Sequence, residues 1–474
     1  MKRRSVFRLR WLVASLLLAT GLWHQFKPVP AGMDLRAPLR PAQQVTFLHD
    51  ITYIDDRGER VHEQEIFDRV IALIHQARRQ IVVDMFLFND FAGEAESHRP
   101  LAQDLTAALL AARAHHPDMP ITVITDPFNT LYGGVENRFL DTLREAGVQV
   151  VMTDLDALRD SNPLWSSIWR VCCQWFGNSS DHGWLPNPVG SEPVSLRSWL
   201  ALPNFKANHR KTLVVDSGDG WTALVTSANP HTASSAHDNI ALEFNGAAAL
   251  DVLVSEAAVM RAAGIDPQWP QAPAPQITDA ATLQVLTESA IRERALELLA
   301  RARKGDDVRL SMFYFSHRDL ARALVAARQR GATVRVLLDP NEHAFGRHKN
   351  GVPNRPLAAD LVQAGVPVRW CDTHGEQCHS KVLQIDRRDG TSDLLLGSAN
   401  YTRRNLDNYN LETNVLFQSE TDHPAQAKAR TLFQRQWQNL DGMHYSAPYA
   451  RYRDHGRWHY LLYRLMEATG LSSF

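Results

Sequence analysis

The chain has 474 residues, of which 44% are hydrophobic and 22% charged. That is ordinary globular composition and excludes a disordered, collagen-like or polytopic membrane protein. Lys plus Arg (51) nearly balances Asp plus Glu (52), so there is no global basic field for nucleic acid, and four cysteines are too few for a disulfide scaffold.

Lys2, Arg3, Arg4, Arg8 and Arg10 precede an apolar run from Trp11 to Trp23. A membrane span needs about 17–25 residues, so the run is short for one and suits the apolar core of a signal peptide. Val29-Pro30-Ala31 is a poor cleavage match. The pattern predicts an uncleaved signal-anchor over 1–30, with a cleaved signal second and a buried helix third. The positive charges predict a cytoplasmic N-terminus and export of the rest.

Apolar residues at helical spacing mark 65–79 and 101–115. Near-continuous apolar strands are expected at IVVDMFLFND (81–90), TVITDP (122–127) and GVQVVMTDL (147–155). HRKTLVVD (209–216), TSAN (226–229) and NIALEF (239–244) follow. Beyond a Pro- and Ala-rich linker at 266–280 the same order returns. Helical spacing marks 293–305 and 320–331, and VRLSMFYFSH (308–317), VRVLLDP (334–340) and GVPVRWCDT (365–373) are strand-like. HSKVLQID (379–386), GSAN (397–400) and YNLETNV (409–415) complete the second copy.

One order of segments met twice is an internal repeat. Asp126 and His209 are 83 residues apart, whereas Asp339 and His379 are 40 apart. The first half therefore carries an insert of about 43 residues, mostly within 156–203, as insertions into a repeat unit do. The expected fold is α/β: two pseudo-symmetric halves, each with a mostly parallel sheet and helices on both faces. The first half spans 45–265, the second 281–440, and an amphipathic tail occupies 441–474.

Residues two apart on a strand share a face, so His209 projects with Lys211 and His379 with Lys381. Ser227 and Asn229 share a face, as do Ser398 and Asn400. Asp216 and Asp386 lie seven residues beyond each His, on the opposite face, where bonding to loop amides suits them. Two histidines can divide nucleophilic and acid–base work near neutrality. Two lysines and two asparagines offer charge and amide donors to a phosphoryl group, with no carboxylate cage for a metal. Glu243 and Glu412 follow the motifs and are each expected to orient a histidine. The chemistry indicated is a phosphodiester reaction through a phosphohistidine, with no metal and no cofactor.

His209-x-Lys211-x4-Asp216 with TSAN, and His379-x-Lys381-x4-Asp386 with GSAN, resemble the two HKD motifs of the phospholipase D superfamily. The resemblance covers roughly 45–440 and implies an active site at the interface of two α/β halves. It implies His209 as nucleophile and His379 as general acid and later base. It further implies that Lys211, Lys381, Asn229 and Asn400 bind the phosphate and that Glu243 and Glu412 support the histidines. Thr226, where the second half has Gly397, departs from the doubled pattern.

The insert holds Trp165, Trp169, Trp175, Trp184 and Trp199 with vicinal Cys172 and Cys173. It reads equally as a lid or interfacial lipid contact, or as a satellite hydrophobic cluster. Residues 341–356, with His343, Arg347, His348, Lys349 and Arg355, form a solvated basic loop or a head-group grip. The helix at 457–468 is expected to pack on the second half, with the bilayer as alternative. Cys371 and Cys378 bracket a loop ending at His379 and, in an exported protein, could form a disulfide.

The resemblance implies hydrolysis or phosphatidyl transfer on a phospholipid, with water or an alcohol as acceptor. Cardiolipin synthesis by transfer is the nearest alternative, then a phospholipase D-like nuclease, then a non-catalytic lipid binder. Nucleic acid is disfavoured as a partner. The expected address is a bacterial inner membrane, with a single N-terminal anchor and the catalytic part in the periplasm.

Overall fold

Ile81–Met85 and Asp307–Met312 lie deep in two separate sheets of a computed structural model. The structure describes residues 2–91, 98–218, 220–274, 281–344 and 347–472, without the side chains of 2–6, 343, 344, 347 and 348. In the first sheet the order is Arg60–Gln64, Gln43–Ile54, Asn239–Asn245, Gly220–Thr226, Lys211–Ser217, Ile81–Met85, Ile121–Thr125, Gln149–Met152. The second repeats that arrangement: Thr282–Thr287, Thr413–Glu420, Thr391–Gly397, Lys381–Asp386, Asp307–Met312, Thr333–Leu338, Val368–Cys371. Arg40–Pro41 and Ser446–Pro448 are its outer edges.

Both sheets are mixed, which corrects the expectation of mostly parallel ones. Ile81–Met85, Ile121–Thr125 and Gln149–Met152 run parallel, as do their counterparts in the second half. The His-x-Lys strands and those beyond them pair antiparallel. The connections decide this. Two residues separate Lys211–Ser217 from Gly220–Thr226, and only antiparallel neighbours can be joined so briefly.

Ala247–Ala262 and Pro424–Gln438 lie between the sheets. Their apolar residues share one core with both halves, including Phe47, Val214 and Leu242 from the first and Val285, Val415 and Phe417 from the second. Further cores on the outer faces hold Ile66–Gln76 and Leu101–His115 on one side, and Glu288–Arg301 and Arg318–Gln329 on the other. The halves are therefore joined by a continuous hydrophobic layer. Part of the expected linker, 275–280, lies outside the described residues.

The N-terminal helix Lys2–Phe26 packs its C-terminal end on Pro163–Val171 of the insert. Phe7, Leu9, Trp11, Leu12 and Leu16 are exposed. Among the described residues no helix is long and apolar enough to cross a membrane. The tail helix Arg457–Thr469 docks on the second half through buried Tyr463, whose hydroxyl donates to the Ser316 carbonyl, while Trp458, Leu461 and Leu465 stay exposed.

Candidate active site

Each His-x-Lys strand enters the site from a segment paired to the other half. The His209 N–H donates to the Leu411 carbonyl and the Asp238 N–H to the Gln377 carbonyl, both at 2.9 Å. Buried Asp126 accepts from the Asn208 N–H (2.7 Å), and buried Asp339 from the Cys378 N–H (2.9 Å). These aspartates hold the residue just before each histidine. The DP pair ending each second strand, in TVITDP and VRVLLDP, was the available sequence signal.

His209 Nδ1 lies 2.9 Å from Glu412 Oε1 of the opposite half. Glu412 is fully buried and also accepts from Ser398 Oγ and Asn405 Nδ2. Burial opposes its charge, but His209 and Lys211 together hold its pKa below the usual value. Burial pushes His209 down to about 4 against the upward pull of Glu412. The resting pair is thus a carboxylate accepting Nδ1–H from a neutral imidazole, whose Nε2 keeps its lone pair.

His379 Nδ1 lies 3.0 Å from Asn239 Oδ1 of the first half. Burial, reinforced by Lys381, His237, Lys211 and His209, lowers its pKa well below the ordinary value. The bonds from His209 to Glu412 and from His379 to Asn239, each crossing between the halves, bring the two motifs together. Lys211 Nζ donates to the His209 carbonyl (2.7 Å), and Lys381 Nζ to the His379 carbonyl (2.5 Å). Burial pushes Lys211 down to about 7, and lowers Lys381 strongly with Lys211 adding to the effect. An anion entering between them would restore both charges.

Asn229 Oδ1 accepts from the Leu87 N–H and Asn400 Oδ1 from the Tyr314 N–H, each at 3.3 Å. With the carbonyl oxygens so committed, the amide N–H groups are the donors for a ligand. Phe86 covers His209 and Phe313 covers His379, each with ring centroids 4.9 Å apart. Sequence reasoning missed this pair, although MFLF and MFYF repeat at the same place.

Glu243 is a correction. It does not reach a histidine; both its oxygens accept from Arg69 at 2.6 Å. The register gives the reason. Thr226 pairs with Ala241 and Gly397 with Asn414, so the position equivalent to Glu412 is Asn239. The same register explains Thr226 against Gly397. Thr226 Oγ1 accepts from the Ala228 N–H, and in the second half Asn414 Oδ1 does so for Ala399. A Cβ at Gly397 would meet that Asn414 oxygen at 2.6 Å.

Asp216 accepts from the N–H groups of Arg78, Arg79 and Gln80, as loop bonding requires. Asp386 instead accepts from Ser392 Oγ and pairs with Arg309. Ser227 and Ser398 donate to Asn239 and Glu412. Cys371 and Cys378 are disulfide-bonded. His343, Arg347 and His348 lie outside the described side chains, whereas Lys349 Nζ donates to the Tyr314 hydroxyl. Among the described residues no cluster of His, Cys, Asp or Glu could hold a metal.

The insert is anchored to the segment leading into His209. Asn162 donates to the Pro203 carbonyl, and Lys206 meets Asp160, itself paired with Arg170. Its tryptophans divide. Trp169 is buried against Cys173 and Ala201, and Trp165 Nε1 donates to the Leu200 carbonyl. Trp175 and Trp184 are 74% and 68% exposed.

Residues 295–437 match the family model "Cardiolipin synthase, PLD-like domain". Over 162 residues the chain is 31% identical to the mitochondrial cardiolipin hydrolase of Mus musculus, 34% of this chain and 65% of that protein. It thus spans slightly less than two thirds of that relative's length. The crystal structure of phosphatidylserine synthase from Haemophilus influenzae Rd KW20 shares the fold, with TM-score 0.57 and 12% identity, over 92% of this chain and 95% of that one. Residues 295–437 therefore carry a PLD-like domain, and the whole chain shares the fold of that phosphatidylserine synthase.

Proposed function

We propose that the protein is a phosphodiesterase or phosphatidyltransferase acting on phospholipids through a covalent phosphohistidine. The observation that carries the reading is the reciprocal bonding of the two His-x-Lys motifs across the halves, His209 to Glu412 and His379 to Asn239. In this mechanism His209 Nε2 attacks phosphorus while the bond to the leaving oxygen breaks. The leaving oxygen takes a proton from His379 Nε2. His379 then removes a proton from water or an alcohol, the new P–O bond forms, and the P–N electron pair returns to His209. Lys211, Lys381, Asn229 and Asn400 neutralise the phosphoryl oxygens throughout.

A membrane address outside the cytoplasm belongs to the same proposal. The exposed apolar residues of Lys2–Phe26 and the exposed Trp458, Leu461 and Leu465 of the tail, flanked by exposed Arg457 and Arg464, support contact with anionic lipid. The test is mass spectrometry of mixed phospholipid vesicles incubated with the full chain, with and without added glycerol. Loss of one phospholipid with gain of phosphatidic acid or of a transfer product supports the reading. An unchanged lipid profile with cleavage of single-stranded DNA would replace it with a nuclease.

A further inference from the structure

Asn239 and Glu412 occupy equivalent places but are chemically unlike. Ser227 Oγ donates to Asn239 Oδ1 as Ser398 Oγ donates to Glu412, and each acceptor meets the Nδ1 of the histidine from the other half. Asn239 Nδ2 donates to the His237 carbonyl, which fixes Oδ1 as the atom facing His379. We propose that Asn239 is a positioning residue that makes the two histidines unequal: it fixes the His379 ring without holding a second proton on it, whereas Glu412 supports positive charge on His209. This rests on the phosphohistidine reading and assigns the two roles within it.

An amide oxygen accepts Nδ1–H whether the ring is neutral or charged, so it sets the tautomer and the orientation. It adds no negative charge to favour imidazolium. The groups around His379 compound this. Lys381 lies on its own strand, Lys211 and His209 come from the opposite half, and His237 precedes Asn239. Asp238 is engaged by the Tyr445 hydroxyl and Asp339 by the Cys378 N–H. The neighbouring carboxylate, Glu412, faces His209.

A proton on His379 is therefore weakly held until an anionic phosphodiester arrives and raises its affinity, and it passes readily to the leaving oxygen. His209 becomes cationic as Nε2 bonds to phosphorus, and its Nδ1–H stays on the Glu412 carboxylate. Equal partners on both rings would leave the roles undivided.

The test is an NMR titration of the histidine rings in the full chain, with His209 and His379 assigned from single Asn replacements. In the wild type His209 should hold its proton to higher pH than His379. Asn239→Asp should raise the His379 midpoint by about one pH unit or more, as a contacting carboxylate does. Glu412→Gln should lower the His209 midpoint, a second arm if Asn239→Asp does not fold. The basic limb of the kcat/KM profile on a short-chain phosphodiester should move up with His379 in Asn239→Asp. An unmoved His379 midpoint in folded Asn239→Asp, or a wild-type order with His379 above His209, would overturn the inference. Failure of the phosphohistidine reading shows separately, as wild-type inactivity on every phosphodiester while the ring midpoints still differ.

Discussion

His209 Nδ1 lies 2.9 Å from Glu412 Oε1 although 203 residues separate the two and they belong to different halves. Neither half holds a complete histidine unit by itself. The pairing also predicts which glutamate matters. Glu412→Gln should lower kcat by about 10–100-fold, as loss of an orienting partner does. Glu243→Gln, which breaks a pair with Arg69 away from the histidines, should leave kcat within about twofold and act on stability alone. Steady-state kinetics beside denaturant unfolding separate the two, and the reverse order would restore the sequence-based alignment.

The insert tryptophans should separate by burial. Trp169→Ala empties a buried site and should cost roughly 3–5 kcal/mol. Trp175→Ala with Trp184→Ala should change stability by no more than about 0.5 kcal/mol each, being on the surface. The exposed pair should instead lower turnover on vesicles at least several-fold while sparing a short-chain soluble diester. Equal loss on both substrates would remove the insert from membrane contact.

Acid should destabilise the protein through buried neutral histidines. His231 is held by the Phe91 carbonyl and Ser234 Oγ, and burial pushes its pKa down to about 4. Burial likewise pushes His237 down to about 3. A folded value below the unfolded one of about 6.5 means the unfolded chain binds more protons in between. The stabilisation is therefore present above about pH 6.5 and lost as pH falls toward 4. His231→Gln, which does not titrate, should reduce the loss between pH 7 and pH 5 by roughly 1–2 kcal/mol. Unfolding midpoints at the two pH values check this; an identical loss in the variant would contradict it.

Metal removal should not abolish turnover. The donors at the site are Lys, Asn and His, while Glu412 is hydrogen-bonded to His209 and Asp126 and Asp339 accept from backbone N–H groups. Activity after dialysis against EDTA should match that before it. A loss restored by one divalent cation would count against the proposed chemistry.

The repeat made much of this legible. The two His-x-Lys pairs with matching Asn residues could be read because they flank buried strands whose apolar pattern repeats. The partner of His379 could not. Ser227 precedes Asn239 by 12 residues, whereas Ser398 precedes Glu412 by 14, so alignment by residue type matched Glu243 instead. Only the ladder register, which counts from Thr226–Ala241 and Gly397–Asn414, shows the equivalence. Strand direction was hidden because apolar runs look alike in parallel and antiparallel central strands. The division of Trp169 from Trp175 depends on packing against Ala201 and Cys173, which no local pattern encodes.

The most direct measurement is a covalent trap. The His379→Asn full-length variant, incubated with an activated phosphodiester whose leaving group needs no general acid, is quenched and mapped by mass spectrometry. The account predicts one phosphoryl adduct on the peptide containing His209, absent when His209→Ala is added. An adduct on another residue, or no adduct while His209→Ala keeps near-wild-type turnover, would contradict it.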